Sequence, residues 1–189
     1  MTRFGRPQLV AFLRSLDRHL RSPSKIVVIG GAAAAVAYNS GTTTADIDLF
    51  HGMSKDIEDA ARQARQETGL AISVAAAAVA DLPYNYEERL RPARGLRLSR
   101  LRLAFPDKYD LVLAKTMRGY QHDLDAIEGI HRRHRLSLKT LVRRFETEMS
   151  QAIGDPARIR QNVVMVVARL YGTAEARALA YRWGVPIPR

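Results

Sequence analysis

Between Ser22-Pro23 and Phe50 the chain runs through a tightly ordered series of local signals. Lys25-Ile26-Val27-Val28-Ile29 is β-branched and apolar, the pattern of a buried strand. Gly30-Gly31 breaks it, and Ala32–Tyr38 reads as a short helix of small residues, stopped by Asn39-Ser40-Gly41. After a polar loop, Asp46-Ile47-Asp48-Leu49-Phe50 alternates acid and apolar residues, which predicts a second strand. Side chains two apart on a strand share a face. Asp46 and Asp48 therefore point together, with Ile47 and Leu49 turned to the core.

That arrangement already favours one kind of chemistry. Glycines after a strand let a backbone approach a phosphate, since no Cβ intrudes. They also open a helix whose free N–H groups favour anions. Two neighbouring carboxylates repel each other unless a cation lies between them, and hard oxygen ligands with substrate phosphates select Mg²⁺, or Mn²⁺. A dinucleotide-binding reading needs Gly-x-Gly-x-x-Gly opening the helix, and alanines occupy Ala32–Ala35 instead.

The rest of the chain frames this segment. Leu9, Phe12, Leu13, Leu16 and Leu20 recur at helical spacing over Arg6–Leu20, and Asp56–Glu67 reads as another helix closed by Gly69. Ile72–Val79 reads as a third strand, Asp81–Arg94 as a loop, and Leu96–Phe105 as one or two short strands with arginines interleaved. From Tyr109 onward helices are expected near Asp110–Gln121, Leu124–His134, Ser137–Ile153, Pro156–Gly172 and Thr173–Arg182, with Asp155-Pro156 as a strong start signal. The expectation is an α/β (α+β) fold: a small mixed sheet flanked by helices over residues 1–108, and a helical region over 109–189 packed on it.

Composition narrows the setting. The 189 residues contain no cysteine, which rules out disulfides and thiolate metal sites and fits a cytoplasmic protein. No apolar run approaches the roughly 20 residues of a membrane helix, so no membrane partner is expected. Thirty basic residues against 19 acidic ones give a net charge of +11, a field that attracts polyanions. The densest basic run is His131-Arg132-Arg133-His134-Arg135, and Arg89–Arg102 holds six more arginines that are read as lining the same cleft. Arg118, Arg132, Arg133 and Arg135 are the candidate nucleic-acid contacts. Solvated faces paired to acids such as Glu146 and Glu148 are the plain alternative.

The strand, Gly30-Gly31, helix and Asp46-x-Asp48 series resembles the signature of the nucleotidyltransferase superfamily. Fourteen residues separate Gly31 from Asp46, and Thr44 stands two before the first acid, more as in the branch of AbiEii-type abortive-infection toxins. A second stretch is similar too: Lys115 in an apolar helical run, then Arg118 and Asp123. The resemblance implies an NTP substrate held by Gly30, Gly31, Thr44 and Lys115. It implies a divalent metal on Asp46 and Asp48, and Lys115 and Asp123 as further catalytic residues. It also implies transfer of NMP to an acceptor such as tRNA or other RNA, within a toxin–antitoxin pair. The wider superfamily places a third carboxylate on a later core strand. Ile72–Val79 and Leu96–Phe105 have none, which leaves Asp81, Asp110 and Asp123, with Asp123 ranked first. A non-catalytic basic module binding nucleic acid or protein is the alternative reading. An aminoglycoside-like acceptor suits so basic a chain less well.

Overall fold

The structure is a computed structural model that describes residues 2–77 and 81–186. Helix α1 (Arg6–His19) begins with Pro7 in its first turn and buries Leu9, Phe12, Leu13 and Leu16. Strand β1 (Ser24–Ile29) leads directly into α2 (Gly30–Tyr38), and β2 (Asp46–Phe50) follows. Helix α3 (Lys55–Thr68) is capped by Ser54, whose hydroxyl accepts from the Ile57 N–H, and ends at Gly69 with φ of 68°. Then come β3 (Ser73–Ala76), a 3₁₀ turn (Tyr86–Arg89), β4 (Arg91–Pro92) and β5 (Leu101–Phe105). Five helices complete the chain: α4 (Lys108–Arg118), α5 (Gln121–His134), α6 (Leu138–Glu148), α7 (Pro156–Tyr171) and α8 (Thr173–Trp183).

The sheet order is β3-β2-β1-β5-β4. Strand β1 pairs antiparallel with β2 and parallel with β5, while β2 pairs parallel with β3. The expected α+β class, mixed sheet and helical C-terminal region are therefore present. The boundaries differ in places. The third strand occupies only Ser73–Ala76, and Ala78 and Val79, which the sequence reading included, lie outside the described residues. Arg91–Pro92, read as loop, forms a short edge strand on β5. Proline is tolerated there because an edge strand has N–H groups to spare. Helix α2 starts two residues earlier than expected, so both glycines belong to its first turn.

Alanine content explains how α2 sits so deep. Ala32, Ala33, Ala34 and Ala35 are all essentially inaccessible. Their small side chains let β2, α1 and α5 close on the helix. On α5, Gly129 permits the same approach: a Cβ there would lie 2.0 Å from the Ser40 carbonyl oxygen. The β2 face opposite the acids is sealed, with Ile47 and Leu49 at 1% and 0% exposure.

One acid holds the sheet to α1. Asp17 is buried, and its carboxylate accepts from the backbone N–H groups of Ser99, Arg100 and Leu101 and from the Ser99 hydroxyl. Burial pushes its pKa up, but the hydrogen bonds from Ser99, Leu101 and Arg100 outweigh it and hold the carboxyl below its usual range. Asp17→Ala is expected to cost about 3 kcal/mol, since three N–H groups lose their acceptor. The melting temperature should fall by about 10 °C. Because the folded pKa is depressed, this contribution is present above the unfolded value of about 3.9 and is lost as pH falls through the folded value. Thermal melts of wild type and Asp17→Ala across acidic pH check both points: the gap between them should close on acidification.

Candidate active site

The glycine pair and the two acids meet at one end of the sheet. Strand register sets Ile29 opposite Asp48, so the end of β1, the start of α2 and the second acid are neighbours. Gly30 takes a left-handed φ of 67°, and a Cβ on it would lie 2.6 Å from Asp48 Oδ2. Glycine is thus required twice over, by backbone conformation and by the carboxylate against it. Gly31 has a related role: its Cβ would meet the Thr44 Cβ at 2.9 Å. No side chain caps the N-terminus of α2. That N-terminus, at Gly30, shares a cavity with Asp48, and a helix N-terminus favours an anion.

Asp46 and Asp48 share a face of β2 and are partly exposed, while the residues between and after them are buried. Thr44 is buried, and its hydroxyl donates to Asp46 Oδ1 at 2.5 Å. That bond fixes the first acid. Burial, followed by the charge of Asp46, pushes the Asp48 pKa up, while Arg118 and Lys115 pull it down. A carboxyl in that condition gains from a cation placed beside it.

The cations of the site come from α4, held by an acid at the start of α5. Lys115 is 3% exposed and donates to Asp123 Oδ1 at 2.8 Å. Arg118 grips the same carboxylate with two nitrogens, at 2.6 Å and 3.1 Å. Burial pushes the Asp123 pKa up, but Lys115 and Arg118 outweigh it and hold it below the usual carboxylate range. The acid ranked first as a third carboxylate is therefore occupied by two cations. Asp110, the second candidate, is buried between Arg89 and Arg144. Asp81 is the candidate that lines a cavity of about 340 Å³ together with Gly30, Asp48, Leu111, Lys115 and Arg118. On β3, next to the acids, the same face carries Ser73 and Ala75. Among the described residues no cluster of three or more histidines or acids is arranged to hold a metal. The carboxylate pair Asp46 and Asp48 has the donor chemistry that would fit Mg²⁺, which takes one or two carboxylates and completes its shell with water and phosphate oxygens.

The basic runs separate from this cavity. Arg132 and Arg133 lie in the last turn of α5 and Arg135 is its C-cap, whereas Asp123 is in the first turn. Ten residues of helix set them about 15 Å apart. Nor do the six arginines of Arg89–Arg102 line the Asp48 cavity, although two of them share another with His134 of the basic run. Arg89 is drawn to Asp110 and Glu148, and Arg91 and Arg94 line a different cavity, of about 530 Å³, at the C-terminal end of α2. Of the candidate nucleic-acid contacts, Arg118 is the one at the Asp48 cavity. His51 follows directly on β2. It has φ of 76°, and its Nε2 is 2.8 Å from the hydroxyl of Tyr86, whose ring packs edge-on against Phe50. Phe50 is two residues beyond Asp48 on the same strand face, and its pairing with Tyr86 spans 36 positions, beyond local pattern.

No helix among the described residues is long and apolar enough to cross a membrane. A family model described as "Nucleotidyltransferase of unknown function (DUF6036)" matches residues 7–170. Neither the curated proteins nor the solved structures contain a match.

Proposed function

We propose that this chain, which belongs to the DUF6036 family of nucleotidyltransferases of unknown function, transfers a nucleoside monophosphate from an NTP to a hydroxyl of RNA. The observation that carries the reading is the convergence of Asp48, Gly30 and the open N-terminus of α2 on one cavity with Lys115 and Arg118 across it. Anion donors and cations there suit a triphosphate, and the carboxylate pair suits the divalent ion that accompanies one. When bound, Mg²⁺ on Asp46 and Asp48 supplies charge neutralisation for the phosphates and the attacking oxygen.

The chain's own groups do the remainder. Gly30 and Gly31 bring backbone N–H groups to the phosphates without a Cβ in the way. Thr44 keeps the Asp46 carboxylate oriented. Lys115, held by Asp123, offers a compact positive charge to the departing pyrophosphate. The acceptor oxygen forms a bond to the α-phosphorus as the α–β phosphoanhydride bond breaks, and the hydroxyl proton leaves to solvent. The net charge of +11 and the half-exposed Arg118 at the rim support RNA as the acceptor. A toxin role with a cognate antitoxin is the biological reading we attach, supported by the likeness of the Gly-Gly and Asp-x-Asp segments to AbiEii-type proteins.

The test is incubation with labelled NTPs, Mg²⁺ and total tRNA, comparing wild type with Asp46→Ala. Wild type should label RNA and the variant should not. Absence of label with wild type, together with absence of NTP binding, overturns the reading and leaves the basic binding module in its place.

A further inference from the structure

Few large hydrophobic side chains are exposed among the described residues, and one of them, Tyr120, follows two positions after Arg118, which lines the Asp48 cavity. Tyr120 is 60% exposed. Its ring lies parallel to that of His122, with centroids 5.5 Å apart and planes 19° from each other. His122 is also largely exposed, with Nε2 3.8 Å from Asp123 Oδ2. The Asp123 carboxylate thus joins the stack to Lys115 and Arg118, both of which line the cavity.

The pair is also held in place. Gly119 ends α4 with a left-handed φ of 68°, and a Cβ there would lie 2.6 Å from Asn162 Nδ2. That amide donates to the carbonyl of Thr116 at 3.0 Å and to that of Met117 at 3.3 Å, pinning the last turn of α4 from α7. The Tyr120 carbonyl in turn accepts from the N–H groups of Asp123 and Leu124 at the start of α5. A π-face open to solvent, on a fixed turn, next to an arginine that lines the cavity, is the geometry on which an unpaired base stacks. Such stacking tolerates any base and needs no hydrogen-bond readout.

We propose that Tyr120 and His122 form the stacking platform for an unpaired nucleotide of the acceptor RNA, with Arg118 beside its phosphate. The platform lies outside the cavity that Gly30 and Asp48 line, so it serves a strand arriving from solvent and not the base of the NTP. This rests on the nucleotidyltransferase reading for its biological use, but the binding can be measured without turnover.

Labelled single-stranded RNA is titrated with Asp48→Asn protein and with the same protein carrying Tyr120→Ala or Tyr120→Phe, and NTP binding is measured in parallel. Tyr120→Ala should weaken RNA binding about tenfold, from the loss of one stacked base. Tyr120→Phe should restore it, and NTP affinity should be unchanged in both. The proposal is overturned if Tyr120→Ala binds RNA as its parent does, if it loses NTP as much as RNA, or if the parent binds no single-stranded RNA. Because Asp48→Asn is not required to turn over, a failed transfer assay with wild type leaves this result standing. Conversely, active wild type with an unaffected Tyr120→Ala sinks the platform alone.

Discussion

Asp48→Asn is expected to reduce nucleotide transfer by about 10³-fold or more, the scale on which loss of a preorganised electrostatic contact at a reaction centre is felt. It is also expected to leave the melting temperature at or slightly above that of wild type. The two outcomes follow from one fact. Burial and the neighbouring charge of Asp46 both disfavour the Asp48 carboxylate in the free protein, and only Arg118 and Lys115 offset them. Asparagine keeps the shape against Gly30, where Oδ2 leaves no room for a Cβ, and removes the charge that the fold tolerates poorly. A residue kept for stability would behave in the opposite way. Thermal melts without added nucleotide, set beside the labelled-NTP assay, separate the alternatives. A large drop in melting temperature would mean that Asp48 is a structural acid, and transfer at wild-type rate would remove it from the chemistry.

How much of this site is visible in sequence depends on how far apart its parts lie along the chain. The glycine pair and the two acids are legible because strand periodicity and a chain break are local properties. Alternation alone places Asp46 and Asp48 opposite Ile47 and Leu49, and burial agrees. Lys115 and Asp123 are singled out by resemblance, but that they bond each other across the α4–α5 junction shows only in the structure. What sequence reading loses are contacts made over long separations. Asp17 carries no local signal as an anchor, yet it takes three N–H groups more than 80 positions away. Arg89 looks like one more cation in a basic run, but Asp110 and Glu148 claim it once α4 and α6 are in place. The same limitation scatters the basic patch. Net charge counts arginines without saying that Arg91 and Arg94 gather at the far end of α2, or that α5 carries Arg133 away from Asp48. A third carboxylate on β3 is absent from the sequence and from the observed face alike. The acid that does line the cavity, Asp81, follows residues 78–80, which lie outside the described structure.

Removing Asp123 separates stability from chemistry in a second way. Its carboxylate is fully buried and bonded to Lys115 and Arg118, so Asp123→Ala leaves a buried ammonium without its bonded partner. Breaking a buried pair from one side costs about 3–5 kcal/mol. For a chain of this length that corresponds to a fall in melting temperature of about 10 °C. Lys115→Met is expected to cost less, because the bidentate contact with Arg118 still satisfies the acid. The double variant Lys115→Met/Asp123→Leu removes both buried charges and replaces them with apolar groups of similar volume. It should recover most of the stability lost in Asp123→Ala. On the proposed reading it should not recover transfer, since that reading sets the Lys115 charge against the phosphates and Arg118 has lost the partner that orients it. Melting curves of the four proteins and their rates with labelled NTP decide the matter. A double variant that melts below Asp123→Ala would mean that the pair specifies the packing of α4 on α5. One that regains transfer would show that Lys115 and Asp123 serve the fold alone.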